Sequence, residues 1–267
     1  MNKKLIRLSA LLLLLFTLSA IAGAPVSDKP HQLALLIVAP WEGEVAMHND
    51  LIAMREALIL RGFSKTEVLS LEGRLNRSSF MSFLEKAHRR MAGWRQGELF
   101  FYFGGHGIYT GSNVSEARPG LWFRQDLQQN PKYTVYWDEV FAKLNVPENI
   151  KVTLLPDSLH TNLLAGRLPA NVVGMVLKSQ PGAELSCRAQ NYRFDHNGTK
   201  LERGVTSYYA IKALPGATSV ESWLRLISEL SNLDISRGSL RRSYQPFLQI
   251  LGDESAMAPG EMRSQER

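Results

Sequence analysis

Apolar residues in this chain come in two rhythms. Short continuous runs occur at residues 33–39 (LALLIVA), 99–103 (LFFYF), 150–155 (IKVTLL) and 171–178 (NVVGMVLK), with a shorter run at 67–71 (EVLSL). Runs of this length, bounded by Gly, Pro, Asn or Asp, predict strands buried on both faces, the kind found inside a parallel sheet. Between them, apolar positions recur every three to four residues. Residues 49–61 carry Leu51, Ile52, Met54, Leu58 and Ile59, and Gly62 is placed to stop a helix. Residues 77–94 carry Phe80, Phe83, Leu84, Ala87, Met91 and Trp94; residues 136–144 carry Trp137, Val140, Phe141 and Leu144. Residues 219–230 carry Val220, Trp223, Leu224, Ile227 and Leu230, with Thr218 or Ser219 as N-cap. The alternation predicts an α/β fold: a doubly wound, mostly parallel sheet with helices on both faces.

Two segments break the rhythm. Residues 108–132 are rich in glycine and polar residues and read as a loop, one wall of a cleft if they lie beside the strand before them. Residues 179–203 form a second polar segment with a turn at Asp195-His196-Asn197-Gly198.

The N-terminus changes the picture. Lys3, Lys4 and Arg7 precede an apolar stretch, residues 8–22, that ends in Ala20-Ile21-Ala22-Gly23. This is the pattern of a cleaved secretory signal peptide over residues 1–24. The stretch is short for a membrane span, so the expectation is an exported protein, secreted or periplasmic, without a membrane association after cleavage. Residues 25–252 are then read as a single domain and residues 253–267 as a polar, frayed tail. The formal charge of +6 includes the three cations of the leader, and the remaining Lys and Arg are dispersed. Nucleic-acid binding needs a denser basic face. With one cysteine, Cys187, no internal disulfide can form.

Candidate chemistry sits at two strand ends. Residues 98–107 read ELFFYFGGHG, an apolar strand running into Gly104, Gly105, His106 and Gly107. Residues 149–162 read NIKVTLLPDSLHTN, a strand ending in Asp157, Ser158, Leu159 and His160. With one helix between them, the two strands have the spacing of parallel neighbours, which puts both polar clusters at the carboxyl edge of the sheet, where α/β proteins build their sites.

The first stretch resembles the histidine motif of the caspase and metacaspase cysteine peptidases, an apolar strand followed by S-G-H-G. The second resembles the metacaspase nucleophile motif, a strand followed by D-S-C-H-S-G, with Leu159 in the cysteine position and Asn162 in that of the last glycine. Further likenesses are Asn49-Asp50 and Arg61-Gly62-Phe63 in the large-subunit part (about 33–165). In the small-subunit part (about 170–251) they are residues 204–214 (GVTSYYAIKAL) and the Q-x-P strand at 244–251 (YQPFLQIL). The resemblance implies a caspase-like fold, with His106 handling a proton, Gly107 helping to hold an oxyanion and Asp157 contributing to a pocket for a basic side chain. Leucine has no heteroatom and cannot attack a carbonyl. The expectation is therefore a caspase-like protein without peptidase activity that binds a peptide or protein at the old cleft, or regulates a partner peptidase.

Two other readings stay open. Cys187 lies after the strand at 171–178 and is a candidate displaced nucleophile for an active cysteine endopeptidase. Ser158 and His160 form a candidate hydrolase pair, although no G-x-S-x-G turn carries the serine. A metal site built from His106, His160 and Asp157 lacks the fuller ligand set such sites have, so no metal or cofactor is expected.

Overall fold

The computed structural model describes residues 30–124, 130–178 and 190–260. The leader and Cys187 lie outside these residues.

The central sheet has six strands: β1 (His31–Val38), β2 (Val68–Glu72), β3 (Gly97–Gly104), β7 (Ile150–Asp157), β8 (Val172–Leu177) and β11 (Leu248–Leu251), ordered β11-β8-β7-β3-β1-β2. All neighbours are parallel except β11, which runs antiparallel to β8 at the edge. Alternate residues of each strand feed two separate cores. Leu33, Leu35, Ile37, Phe101 and Phe103 face one side; Ala34, Leu36, Val38, Phe100 and Tyr102 face the other. This two-sided burial explains why the strands read as unbroken apolar runs. Every residue of β3 is buried; each of its large side chains contributes about 1.5–3 kcal/mol by leaving water.

The first core is closed by α2 (Arg77–Met91) and α3 (Trp137–Leu144), through Phe80, Leu84, Trp137 and Val140. The second is closed by α1 (Ala46–Leu60), α4 (Val205–Ala213) and α5 (Val220–Ser236), through Leu51, Met54, Tyr209 and Trp223. Asn76 caps α2 and Ser219 caps α5, each in a capping box with the serine at the third helical position. Helix α1 departs from its apolar pattern: Ile52 is 46% exposed, whereas Asp50 is buried. The helix turns a carboxylate inward, because a partner waits there.

Both polar segments hold strands that a loop reading missed. In and around the first, β4 (His106–Thr110), β5 (Arg118–Trp122) and, just beyond it, β6 (Thr134–Tyr136) make a small antiparallel sheet. These strands carry Gly, Pro and Arg and are too short to show an alternation. In the second, β9 (Asn191–His196) and β10 (Thr199–Gly204) form a hairpin around Asn197 and Gly198, both at positive φ. The turn falls where the sequence placed it. Residues 253–260, expected as a frayed tail, fold back instead. Ala258 is fully buried, Met257 bridges to Ser219, and the Gly260 N–H donates to Glu98 at 3.0 Å.

Candidate functional site

β3 and β7 pair in parallel with Gly104 opposite Asp157. The chain then turns at Gly105, whose N–H donates to the Asp157 carbonyl at 3.3 Å, and His106 starts β4. The two clusters singled out in the sequence thus meet at one end of the sheet. The approach is close. A Cβ on Gly107 would stand 1.9 Å from the Leu159 carbonyl oxygen and 3.0 Å from its nitrogen, so only glycine lets the two backbones touch.

His106 is held from one side by the turn that follows β1. Its Nε2 lies 2.9 Å from both carboxylate oxygens of Glu44. The Trp41 indole stacks on the imidazole, with ring centroids 3.3 Å apart and planes 9° from parallel. Trp122, opposite His106 in the β4–β5 ladder, meets Trp41 edge-on. The turn locks itself: the Trp41 N–H donates to Glu44 at 2.6 Å, and the Glu44 N–H donates to the Trp41 carbonyl at 3.2 Å. Burial pushes the Glu44 carboxyl up, but its bonds with His106 and the Trp41 N–H outweigh that and hold it below its usual range. Trp41 and Glu44 escaped the reading of the sequence. The available signal was the cluster Pro40-Trp41-Glu42-Gly43-Glu44 directly after a buried strand. Its relevance depends on β1 lying next to β3, which the run of residues alone does not state.

On the other strand, Leu159 is half-buried at the contact with Gly107. Ser158 is fully buried and its hydroxyl has no hydrogen-bond partner. His160 takes a left-handed conformation, φ 64°, and its ring meets Tyr109 edge-on at 4.7 Å. Asp157 turns inward. Its Oδ2 accepts from the Ser207 hydroxyl at 2.5 Å and the Ser207 N–H at 3.2 Å. The same hydroxyl lies 2.8 Å from that of Tyr102. Asp50 accepts from Arg203 and from the Gly204 N–H, the latter at 2.8 Å. Among the described residues no three His, Cys, Asp or Glu side chains gather in a way that could hold a metal, and no helix is long and apolar enough to cross a membrane.

Burial pushes the carboxyl groups of Asp50 and Asp157 upward, Asp50 to about 7 despite Arg203, while Ser207 only partly offsets the effect at Asp157. A carboxyl raised above its unfolded value of 3.8 keeps its proton longer in the folded state. Its contribution to stability is complete below that value and is lost as pH rises through about 7. Asp50→Asn keeps an acceptor for the Gly204 N–H but cannot titrate. Urea unfolding between pH 4 and 7 should therefore show a smaller fall in stability with rising pH for the variant than for the wild type; equal slopes would contradict this assignment.

Chemically, the arrangement sets a carboxylate–imidazole pair, Glu44 and His106, at the strand whose next residue, Gly107, touches Leu159.

No protein-family model matches the chain, and no curated protein sequence matches it. Solved structures do. Caspase-1 from Spodoptera frugiperda superposes with a TM-score of 0.53 at 12% identity, over 86% of this chain and 89% of that one. The Drosophila initiator caspase Dronc gives 0.51 at 14% identity, over 85% and 82%. A Geobacter sulfurreducens protein gives 0.51 at 13%, over 84% and 94%. Identities this low speak to architecture alone, and on that the sheet order, the flanking helices and the superpositions agree: this chain has the caspase-like α/β fold.

Proposed function

We propose that this is an exported caspase-fold protein that does not hydrolyse peptides and instead binds a peptide or protein segment along the cleft between His106 and Leu159. The observation that carries the reading is the leucine set against Gly107, at the place where the resemblance puts the thiol. The engagement of His106 by Glu44 and Trp41 supports it, since the imidazole is anchored to the β1 turn. The buried, unpartnered hydroxyl of Ser158 speaks against a serine nucleophile. The 1–24 leader pattern supports export, and a regulatory role toward an active peptidase is consistent with a cleft that binds without cutting.

The test is a peptidase assay of the mature protein on peptides with Lys, Arg or Asp before the scissile bond, beside the Leu159→Cys variant. The wild type should show no turnover. The variant should stay folded, at a cost of about 1–3 kcal/mol or less for a half-buried side chain, and its new thiol should react with iodoacetamide. Cleavage by the wild type that Cys187→Ala abolishes without unfolding would sink the proposal and move the nucleophile to Cys187.

A further inference from the structure

The core that α2 closes comes to the surface beyond the carboxyl ends of β1 and β2, where a cavity of about 440 Å³ opens. Its base is made of Leu75 and Phe123, both buried members of that core, and of Tyr133, which packs against them. Its rim carries Arg74, Arg124 and Glu42. Trp41, whose ring lies on the His106 imidazole, is a further part of the wall. The cavity thus shares one residue with the His106 site and otherwise draws on the loops of the opposite sheet edge, away from Leu159.

The charges on the lining do not cancel. Arg74 approaches Glu42 only to 3.7 Å, with both side chains almost wholly in solvent, and such a pair is worth little. Arg124 has its guanidinium carbon 5.4 Å from the centre of the Tyr133 ring, and Lys132 Nζ lies 5.5 Å from the same centre. The hydrogen bond with Arg124 holds the Tyr133 hydroxyl below its usual range, and Lys132 adds to the effect. Two guanidinium groups against one carboxylate leave the lining with one positive charge, and Lys132 adds another nearby. An apolar base with a few charged groups at its mouth is the form that sites for small organic ligands take, and the volume lies within their span of about 300–1,000 Å³. The crevice outside the carboxyl ends of the strands is also where α/β sheets place such sites. We infer that this cavity binds an organic carboxylate, with an aromatic or branched apolar body lying on Leu75, Phe123 and Tyr133 and the carboxylate held by Arg74 and Arg124. A guanidinium offers the planar donor fork that a carboxylate matches. Glu42 keeps the net charge of the lining at one, which suits a monoanion better than a phosphate dianion. An occupant borders Trp41, so its binding reaches the ring that covers His106. The inference is independent of what the cleft between His106 and Leu159 takes.

The test is calorimetric titration of the mature protein with 4-phenylbutyrate and with 4-phenylbutyramide, which keeps the body and lacks the charge. The acid should bind saturably, one per chain, and the amide about tenfold or more weakly, the factor that about 1.4 kcal/mol gives. Arg74 and Arg124 are exposed, so Arg74→Ala/Arg124→Ala should fold as the wild type does. That variant should lose about tenfold or more of the affinity for the acid and keep the affinity for the amide within about twofold. In the wild type the imidazole NMR signals of His106, identified by their loss in His106→Gln, should shift as the acid saturates. No saturable binding, equal affinity for acid and amide, or an acid affinity that survives in the double variant each overturns the inference. Binding without a shift at His106 also overturns it, since the acid then lies away from Trp41. A free acid and the carboxyl end of a peptide offer the same chemistry. Acetyl-tetraglycyl-phenylalanine with a free C-terminus separates the two: binding tighter than that of 4-phenylbutyrate assigns the site to chain ends and weaker binding assigns it to small acids, and either result supports a carboxylate site.

Discussion

Gly107→Ala should unfold the protein or cost it about 3 kcal/mol or more, the upper end of what overpacking does. A methyl group there would fall 1.9 Å from the Leu159 carbonyl oxygen and 2.7 Å from its carbon. No side-chain rotation can relieve a clash with backbone. Relief would have to move β4 of the small sheet, where Gly107 is buried, or the segment that follows β7, whose end is buried too. Gly105→Ala makes an instructive contrast, since its Cβ would meet the Phe103 ring at 2.6 Å. An aromatic ring can tilt, so the loss should be smaller. Urea unfolding of both variants checks the order. A Gly107→Ala protein as stable as the wild type would mean that the two strand ends do not touch as described.

The second large effect concerns Asp50. Asp50→Ala leaves Arg203 buried with no carboxylate on its Nε, and a guanidinium cannot shed its charge. Breaking a buried pair from that side costs about 3–5 kcal/mol, and the Gly204 N–H loses its acceptor as well. Arg203→Ala should cost less near pH 6. The carboxylate left behind is already pushed up to about 7 and can take a proton. The two partners of one ion pair are thus unequal: the cation is the side that must stay paired. Asp50→Ala/Arg203→Met should recover most of the stability lost by Asp50→Ala, because the apolar stem remains and the unpaired charge is gone. Denaturation midpoints of the three variants at pH 6 decide the matter. Equal losses for Asp50→Ala and Arg203→Ala would show that the asymmetry is absent.

The sheet and most of its helices could be read directly from the chain. Strands buried on both faces are filled mostly by apolar residues, so β1, β3, β7 and β8 announce themselves as apolar runs with few interruptions. The helices follow from spacing and from capping residues such as Ser219. The strands of the two polar segments were hidden for the opposite reason. β5 reads RPGLW and β10 reads TKLERG, and such short ladders, half open to solvent, impose no apolar run. Residues 253–260 hid in the same way. Their polar composition suggested fraying, yet the Glu98 carboxylate inside the sheet supplies an acceptor for Gly260.

At the site, the chain by itself indicated that the strands before His106 and Leu159 end at the same edge of the sheet; that they are direct neighbours was decided by the fold, since β2 and β3 also have one helix between them and yet are separated by β1. Leucine at position 159 carries no nucleophile in any fold. The tertiary structure alone decided who the neighbours are. Glu44 and Trp41 reach His106 from a turn more than sixty positions away in sequence, because β1 lies beside β3. Asp50 and Arg203 meet across 153 positions, because the hairpin lies over α1. Local spacing records the period of a helix or strand and the residues that end it. Which distant carboxylate faces which cation is set by the order of strands in the sheet and by how the hairpin closes over it, and neither leaves a periodic trace along the chain.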